Sequence, residues 1–511
     1  MNLMMLLEMA ASGMGDRVAF SSYADESGPA QHLTYQQLFD AAAVAARQMR
    51  ASGCKRTVVI DISSLALPVA LFGSAWAGLP YVPINYRLTE EEISALLARV
   101  LPAYLITDAQ RAEKTDGQAG ITAVERKAFI QQTRSAAGAT DNDWSMDGED
   151  VAVLLFTSGT TGTPKAAMLR HKHLVSYILG SVEFCSADES DATLVCVPPY
   201  HVAGIAAMLS AVYSGRRLVQ LPNFTAERWL DIARQEKISN AFVVPTMLSR
   251  IVEVLEGQSS AHLPHLKAIS YGGGKMPLSI IERAMKLFPH TDFTNAYGLT
   301  ETSSTIAVLT PDDHRAAAAS PDEKIRRRLV SVGRALPGVT IEIRDDAGKV
   351  LAAGERGEIY VKGEQVSGEY EDRGSVIDKQ GWFPTRDAGS MDADGYLFLE
   401  GRADDVIVRG AENMSPGEIE EVLLSHPAVA DAGVVGIPDE QWGEAVAAAV
   451  VLKGGRSASA GELQEWVKGK LRSSRVPQLI AFYQELPYNE TGKLLRRVIK
   501  LELSKAQPAG N

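Results

Sequence analysis

The sequence predicts an α/β protein with a large N-terminal domain of layered α/β subdomains, residues 1–402, and a small α+β C-terminal domain, residues 403–511. A chain of 511 residues is longer than one hydrophobic core usually fills. From about Thr34 the sequence alternates helical periods with short β-branched runs, which is typical of βα units around a parallel sheet. Shorter strands with turn dipeptides over about 330–400 indicate a β subdomain, and the pattern starts again after 401–405.

The elements of the N-terminal domain follow from local patterns. The opening MNLMMLLEMA predicts a helix rather than a signal peptide, because it lacks a basic start and contains Glu8. LTYQQLFDAAAVAARQMR predicts a helix, and TVVIDI and Ala103–Thr107 predict strands. The apolar stretch 65–77 is too short for a membrane span and contains Pro68 and Gly73. Buried strands are predicted next, at AVLLFTSG, ATLVCVPP, RRLVQL and NAFVVP.

The later elements are shorter and more polar. Strands of the β subdomain are predicted within TIEIRDDAGKVL, GEIYVKG and DADGYLFLEG. The C-terminal domain is predicted to contain a strand at VIVRG, a helix at PGEIEEVLLSHP, a strand at ADAGVVGIP and a helix at GELQEWVKGKLRSS. The polar tail SKAQPAGN is predicted to fray.

Composition disfavours several classes of function. The chain has 51 basic and 63 acidic residues, a net charge of −12, which disfavours a nucleic-acid binder. Its three cysteines, Cys54, Cys185 and Cys196, have no CxxC spacing and support neither a disulfide framework nor a zinc site. They are expected to be small core residues in a reducing compartment, so the predicted location is the cytoplasm. No integral membrane association is predicted, and contact with a membrane surface is left open.

A predicted strand at LLFT ends in a run of small and hydroxylated residues that suits a polyphosphate. Glycines allow the backbone to approach closely, successive N–H groups can surround an anion, and a lysine adds positive charge. The spacing differs from the Walker A pattern GxxxxGKS/T, which disfavours a P-loop nucleotidase. By composition alone, an ordinary surface loop is the alternative. The predicted phosphate-binding residues are Thr157, Ser158, Gly159, Thr160, Thr161, Gly162 and Lys165.

Residues 157–165 match the pattern S/T-S-G-S/T-T-G-x-P-K throughout, and five further motifs follow in a fixed order: SYGGGKMP, YGLTE, WFPTRD, GRADD and PYNETGK. With these motifs the chain resembles the adenylate-forming superfamily of acyl-CoA synthetases, peptide-synthetase adenylation domains and firefly-type luciferases. The resemblance covers about 33–497 and is most specific after residue 150. It implies that ATP and Mg²⁺ activate a carboxylic acid as an acyl-adenylate, whose acyl group passes to coenzyme A.

The resemblance also implies how the nucleotide is held. In the family's YGxTE motif the tyrosine packs on adenine, the threonine meets the α-phosphate and the glutamate binds Mg²⁺, which here are Tyr297, Thr300 and Glu301. One hard carboxylate suits Mg²⁺, because this ion usually keeps water and phosphate oxygens as its other ligands. The implied wall of the nucleotide pocket consists of Gly272, Gly273, Gly274, Asn295, Ala296 and Gly298.

The motifs near the C-terminus imply three further roles. WFPTRD corresponds to the family's WxxTGD, whose Asp387 is implied to hold the ribose hydroxyls, although Arg386 stands where the family has glycine. In GRADD, Arg402 is implied to reach the ribose or phosphate, and Asp404 is the implied pivot of the C-terminal domain. Lys493 of PYNETGK is implied to enter the site and stabilise the transition state of adenylation.

In the second half-reaction the resemblance implies that the C-terminal domain rotates about Asp404 and withdraws Lys493. The loop 408–413 then lines the tunnel for the pantetheine thiol, and Gly410 and Ala411 leave room for it. Arg475 is implied to lie near the CoA nucleotide, with an exposed, solvated arginine as the alternative.

The implied acid pocket contains Tyr200, His201, Thr246 and Gly273. His201 follows the family pattern PP-F/Y-H-x-x-G, in which the histidine flanks the substrate carboxylate, and a buried structural histidine is an equal alternative. No aspartate is recognisable for holding an amino group, so the predicted substrate is a hydrophobic fatty, aryl or polycyclic acid. The candidate catalytic residues are Lys493, Glu301, Thr300 and His201.

Two alternatives to a CoA ligase stay open on the sequence. A stand-alone adenylation enzyme could load the phosphopantetheine of a carrier protein through the same tunnel. A catalytically silent homologue could bind acyl-adenylate, but it would be expected to lack Lys493, Glu301 or the phosphate loop, which are all present. The expected partner is a small-molecule acid, and a homodimer is left open.

Overall fold

The computed structural model describes residues 1–23, 29–135, 143–157, 164–402, 405–409, 412–439, 441–489 and 494–506. The helices in this part of the chain are α1 Met4–Met14, α2 Tyr35–Ala51, α3 Ala66–Ala77, α4 Glu90–Ala98, α5 Ala109–Thr115, α6 Arg126–Ser135, α7 His171–Ser181, α8 Val202–Ser214, α9 Ala226–Gln235, α10 Pro245–Val254, α11 Leu278–Leu287, α12 Pro311–Ala319, α13 Glu323–Arg326, α14 Pro416–Leu424, α15 Ala460–Lys468 and α16 Arg496–Ala506.

The strands of the N-terminal two thirds of the chain form the large sheets. They are β1 Val18–Ser22, β2 Gln31–Thr34, β3 Arg56–Ile60, β4 Tyr81–Pro83, β5 Ala103–Thr107, β6 Ile121–Glu125, β7 Val151–Thr157, β8 Lys165–Arg170, β9 Ala192–Val195, β10 Arg217–Gln220, β11 Asn240–Val243, β12 Ala268–Gly272, β13 Asp292–Leu299, β14 Ser304–Leu309 and β15 Arg334–Ala335.

The remaining strands belong to the smaller sheets and to one edge of a large sheet. They are β16 Thr340–Arg344, β17 Arg356–Lys362, β18 Glu369–Tyr370, β19 Gly374–Ser375, β20 Phe383–Met391, β21 Leu397–Arg402, β22 Ile407–Arg409, β23 Glu412–Met414, β24 Val429–Asp439, β25 Gly443–Leu452 and β26 Leu479–Tyr483.

A nine-stranded sheet with the order β15-β14-β13-β12-β11-β9-β10-β1-β2 forms the centre of the large domain. Its middle strands, from β13 to β1, are parallel, and the pairs at both edges are antiparallel. Because the carboxyl ends of parallel strands lie at the same edge, the segments that follow β12 and β13 come together there. The glycine triplet begins at the last residue of β12, and the YGLTE motif spans the last three residues of β13 and the two residues after it.

An eight-stranded sheet, with the order β19-β18-β8-β7-β4-β3-β5-β6, carries the predicted phosphate loop. The loop follows β7, and the chain returns antiparallel as β8, with Thr157 paired to Lys165. Helices α2 and α3 pack closely beside this sheet. A Cβ atom at Gly73 would lie 2.8 Å from the Cβ of Ala45, so this close helix contact requires glycine.

The β subdomain is a four-stranded antiparallel sheet, β16-β17-β20-β21, within residues 340–402. The C-terminal part contains strands β22 to β26 with α14, α15 and α16. Alternate residues of β24 face opposite sides of its sheet, and Val434 and Val435 enter two separate clusters of buried apolar residues. This part meets the large domain where Lys275 Nζ donates to the Gly417 carbonyl at 3.1 Å and Ser415 Oγ donates to that of Glu400 at 2.7 Å.

Most predicted elements are present, and one expectation about the cysteines is wrong. Cys54 and Cys196 are buried, but Cys185 is exposed. Cys185 lies with a φ of 56° in the connection after α7, where its N–H donates to the Tyr213 carbonyl. Such connections run over the surface, which explains the exposure. Within the described ranges, no helix has the length and apolar character needed to cross a membrane.

Candidate active site

A cavity of about 1660 Å³ lies where both large sheets, the antiparallel sheet and the C-terminal part meet. Among the residues that the structure describes, every predicted site residue except Arg475 lines this cavity. Those residues are Thr157, Lys165, Tyr200, His201, Thr246, Gly272, Gly273, Gly274, Asn295, Ala296, Tyr297, Gly298, Thr300, Glu301, Asp387 and Arg402.

Other predicted site residues lie outside the described residues. They are Ser158, Gly159, Thr160, Thr161, Gly162, Asp404, Gly410, Ala411 and Lys493. The described residues that border three of these segments nevertheless line the cavity, namely Thr157 before the phosphate loop, Arg402 and Asp405 around Asp404, and Asn489 and Leu494 around Lys493. Thr157 Oγ1 donates to the Lys165 carbonyl at 3.4 Å.

Glycines make one wall of the cavity flat. A Cβ atom at Gly272 would lie 2.2 Å from the carbonyl oxygen of Ala296, and one at Gly298 would lie 1.8 Å from that of Ser304. Neither position can therefore hold a side chain without moving the neighbouring strand. Asn295 is held in this wall, because its side-chain amide donates to the Ser331 carbonyl at 2.9 Å.

A chain of polar contacts joins Tyr297, Asp387 and Arg402. The Tyr297 hydroxyl donates to Asp387 Oδ2 at 2.7 Å, and Arg402 Nη1 lies 3.2 Å from Asp387 Oδ1. Arg402 Nη1 also donates to the Thr385 carbonyl at 3.0 Å. Burial and the nearby Asp387 carboxylate raise the pKa of Tyr297 well above its usual value, so its hydroxyl stays protonated and donates. Both oxygens of Asp387 are therefore already engaged.

The residue beside Asp387 keeps the backbone conformation of a glycine. Arg386 has a φ of 63°, in the left-handed region that residues other than glycine rarely adopt. Its N–H donates to Glu358 Oε1 at 3.1 Å. The replacement of the family's glycine thus leaves a left-handed turn at this position, at some cost in backbone strain.

Glu301, Lys165 and Tyr370 form a second polar group in the cavity. Glu301 is buried, and its Oε1 accepts a hydrogen bond from the Tyr370 hydroxyl at 2.6 Å. Lys165 Nζ lies 5.6 Å from the centre of the Tyr370 ring, a cation–π distance. Burial, together with the Glu301 carboxylate, raises the pKa of Tyr370, which keeps its hydroxyl a donor.

The sequence motifs do not include Tyr370. It lies on β18, a strand of two residues, and reaches the site because it pairs with Ala167 of β8. No motif spacing links it to Glu301, so only the tertiary fold reveals the contact.

The predicted acid pocket lies beside the nucleotide wall. His201 precedes α8, and its ring centre lies 4.8 Å from that of Tyr200. Burial lowers the pKa of His201 to about 4, so the imidazole is neutral at neutral pH. Tyr200 is also buried and packs edge-on against Tyr86, and its hydroxyl finds no hydrogen-bond partner in the described part of the protein. Thr246 lines the same space from α10.

Arg475 differs from the other predicted residues because it does not line the cavity. Its guanidinium is bound to two carboxylates of the C-terminal part, with Nε 2.7 Å from Glu418 Oε2 and Nη1 contacting Glu412 Oε1. The alternative of an exposed, solvated arginine is wrong, since 17% of its side chain is exposed. The described residues of the hairpin β22–β23 also lie outside the cavity lining.

Comparison with known proteins identifies the class of this site. Residues 7–371 match the family described as AMP-binding enzyme, and residues 418–493 match the AMP-binding enzyme C-terminal domain. The chain therefore belongs to the AMP-binding enzyme family. This confirms the resemblance on which the motif assignments rest.

Named relatives extend over nearly the whole chain. An indoleacetate–CoA ligase of Aromatoleum aromaticum is 31% identical over 484 residues, covering 91% of this chain and 92% of the relative. A fatty acid–[acyl-carrier-protein] ligase of Streptomyces coeruleorubidus is 31% identical over 490 residues, covering 92% and 91%. The o-succinylbenzoate CoA synthetase of Bacillus subtilis, solved with its acyl-adenylate intermediate, is 28% identical with a TM-score of 0.82 and covers 97% of both chains. The predicted fold class is thereby confirmed.

Proposed function

We propose that the protein is an AMP-forming acid–CoA ligase. It adenylates a carboxylic acid with ATP, releasing pyrophosphate, and then transfers the acyl group to the thiol of coenzyme A, releasing AMP. The observation that carries this proposal is that one cavity contains both the nucleotide-binding groups and the acid pocket. It is lined by the glycine wall, by the Tyr297–Asp387–Arg402 chain, by Glu301 with Lys165, and by the pocket of His201. The relatives named as CoA ligases support it.

The residues fit an ATP molecule held across the cavity. The flat wall at Gly272 and Tyr297 suits the adenine ring, and Asp387 is positioned to accept hydrogen bonds from two ribose hydroxyls. Since Asp387 already accepts from Tyr297 and contacts Arg402, its orientation is fixed before the nucleotide arrives. Lys165 and Arg402 add positive charge towards the phosphates.

Glu301 is the residue proposed to hold Mg²⁺, and Thr300 beside it is proposed to meet the α-phosphate. No group of three or more histidine, cysteine, aspartate or glutamate side chains able to bind a metal occurs in the ranges described above. A single buried carboxylate is nevertheless a suitable donor set for Mg²⁺, which takes its remaining ligands from phosphates and water. The ion would neutralise phosphate charge while Tyr370 holds the Glu301 carboxylate in place.

In the first half-reaction a carboxylate oxygen of the acid attacks the α-phosphorus. The bond from this phosphorus to the oxygen bridging to the β-phosphate breaks, and pyrophosphate leaves with the electron pair. The protein contributes position and positive charge, from Lys165, Arg402 and Lys493. His201 flanks the carboxylate as a neutral donor, which avoids trapping the acid in an ion pair.

In the second half-reaction the CoA thiolate attacks the acyl carbon, and the bond between that carbon and the phosphate oxygen breaks. The C-terminal domain is proposed to turn about Asp404 between the steps. Tyr488 and Leu494, which flank Lys493 in sequence, line the cavity, whereas the described part of hairpin β22–β23 does not. This arrangement supports an adenylation geometry, and rotation would bring Gly410 and Ala411 to the thiol.

The acceptor and acid class can be tested together. Purified protein is incubated with ATP, Mg²⁺ and a panel of fatty and aryl acids, including indoleacetate and 2-succinylbenzoate. Pyrophosphate release and thioester formation are measured with CoA or with a holo-carrier protein. CoA thioester from at least one acid is expected. Thioester on the carrier alone would favour the second candidate, which the carrier-protein relative supports, and no pyrophosphate release with any acid would contradict both.

A further inference from the structure

The cavity continues well beyond the nucleotide wall, along one face of the nine-stranded sheet. Asn240, at the start of β11, pairs with Ala268, and Gly272 lies four residues further along β12. At about 3.3 Å per residue, this part of the channel is about 13 Å long. Both Asn240 and Gly272 line it, so it can hold an extended acid with its carboxylate at the nucleotide end.

The polarity of the lining changes along this channel. Its middle is apolar, with Val195 from β9, Ala206 from α8 and Phe242 from β11. Its far end is polar, with Thr193, Asn240 and Arg216. Asn240 Oδ1 accepts from Ser239 Oγ at 2.7 Å, but within the described part of the chain its NH₂ group has no hydrogen-bond partner. A purely hydrocarbon tail would leave these groups without partners.

Arg216 is the charged group at the far end. It follows α8 directly after Gly215, and its carbonyl accepts from the Tyr35 hydroxyl at 3.2 Å. Its Nε is buried, and the guanidinium makes no hydrogen bond or ion pair to any described residue. Burial lowers the pKa of this group, while the nearby Asp191 carboxylate raises it.

The surrounding charges are already paired, which makes Arg216 stand out. Asp191 Oδ1 is bound by Lys267 Nζ at 2.8 Å, and Asp191 acts on Arg216 through its nearby charge without forming an ion pair with it. The adjacent Arg217 is paired with Glu236. Arg216 itself is half-buried, but a guanidinium whose Nε is buried without a partner is costly, and such groups are normally paired or hydrogen-bonded. The partner missing from Arg216 is therefore expected to come from the ligand.

We propose that the acid carries a second anionic group, separated from the reacting carboxylate by an apolar spacer, and that Arg216 binds this distal group. Asn240 and Thr193 supply neutral hydrogen bonds beside it. This inference rests on the proposed function and refines the acid from simply hydrophobic to an acid with a second charge at its far end. A carboxylate is the simplest such group, because a guanidinium can hold it with two parallel hydrogen bonds.

The test compares acids that differ only in the distal group. Decanoate with decanedioate, tetradecanoate with tetradecanedioate, and 4-phenylbutyrate with 4-(4-carboxyphenyl)butyrate are compared by kcat/KM for pyrophosphate release with CoA present. The wild-type protein is expected to prefer the diacid in at least one pair. Arg216→Met is expected to lower kcat/KM for that diacid by about 10- to 100-fold without lowering it for the monoacid. Arg216→Lys should retain part of the preference.

A matched variant and a stability measurement separate binding from folding. Arg234→Gln removes an exposed arginine on α9 and should leave the diacid-to-monoacid ratio unchanged. Arg216→Met removes no hydrogen bond or ion pair between the guanidinium and the described residues. Its melting temperature should therefore be equal to or above that of the wild type. Added decanedioate should raise the melting temperature of the wild type more than decanoate does, and this difference should disappear in Arg216→Met.

The outcomes distinguish this inference from the proposed function. If the wild type prefers the monoacid in every pair, or if Arg216→Met leaves the ratio unchanged, the distal-anion proposal is wrong while the ligase assignment stands. If no acid in the panel releases pyrophosphate, both are wrong. If Arg216→Met does not fold, the diacid-to-monoacid ratios of the wild type and of Arg216→Lys decide. The absence of a diacid preference in both proteins overturns the proposal.

Discussion

The nucleotide end and the acid end of the cavity differ in how their polar groups are paired. At the nucleotide end Asp387 is held by Tyr297 and Arg402, and Glu301 by Tyr370. At the acid end the Tyr200 hydroxyl and the Arg216 Nε are buried without a partner among the described residues. Because the nucleotide is always ATP, the side chains that bind it can be oriented before it arrives. At the acid end, the unpartnered polar side chains need hydrogen bonds from the bound acid.

The largest expected effect tests the charge at the nucleotide end. Lys493→Ala should lower the rate of adenylation by about 100- to 1000-fold, because it removes a positive charge that stabilises the transition state. Thioester formation from supplied acyl-adenylate should change much less. Pyrophosphate exchange and thioester formation are measured separately, with Lys505→Ala on α16 as the control. Equal losses in both half-reactions would contradict the role proposed for Lys493.

A smaller effect tests whether pairing at the nucleotide end matters. Tyr370→Phe removes the hydroxyl that orients Glu301 and should raise the Mg²⁺ concentration for half-maximal activity by about 10-fold. The control is Tyr360→Phe, which alters a tyrosine on β17 whose ring packs near the Arg344 guanidinium. An unchanged Mg²⁺ requirement in Tyr370→Phe would show that Glu301 needs no orienting partner.

His201, at the acid end, is expected to make the free energy of unfolding depend on pH. The pKa of His201 is lowered to about 4 in the folded protein, against about 6.5 when unfolded. The unfolded state then binds more protons between these values, so stability falls as pH drops from about 6.5 towards 4. His201→Gln should reduce this loss by about 1 to 3 kcal/mol.

His171 and His173 also have pKa values lowered to about 4 by burial, so they contribute to the same pH window. The effect of His201 is therefore read as the difference between urea unfolding curves of the variant and the wild type at several pH values. A pH profile identical to that of the wild type would mean that His201 is not kept neutral by burial.

The smallest effect concerns the strained turn beside Asp387. Arg386→Gly should stabilise the protein by about 0.5 kcal/mol, because relief of left-handed strain slightly exceeds the entropic cost of glycine. Urea unfolding measures this change, and Arg386→Lys should leave stability unchanged. Destabilisation by Arg386→Gly would mean that contacts of the arginine, including the approach of Nε to Glu358 at 3.9 Å, outweigh the strain.

The same contrast between the two ends appears in what the sequence predicts. Ordered motifs predict the nucleotide wall, because residues such as Gly272 and Tyr297 lie at the carboxyl ends of strands that share one sheet edge. The long amphipathic helix α2 and the strand Ala103–Thr107 follow equally from local periodicity. These features depend on short stretches of chain, which the sequence displays directly.

Features that depend on distant contacts are not visible in the sequence. Tyr370 reaches Glu301 only because a two-residue strand pairs with β8. Arg216 reads as the start of a strand in RRLVQL, and nothing local shows that it faces a cavity while Arg217 is paired with Glu236. The sequence likewise suggests a buried Cys185, whereas tertiary packing leaves it on an exposed connection.

The central claim is that the acid attacks the α-phosphorus of ATP. It is tested most directly with an accepted acid whose carboxylate is labelled with oxygen-18, followed by mass spectrometry of the products after CoA transfer. The proposed reaction places one labelled oxygen in the phosphate of AMP and none in pyrophosphate. Label in pyrophosphate or in inorganic phosphate, or AMP without label, would contradict adenylation of the acid.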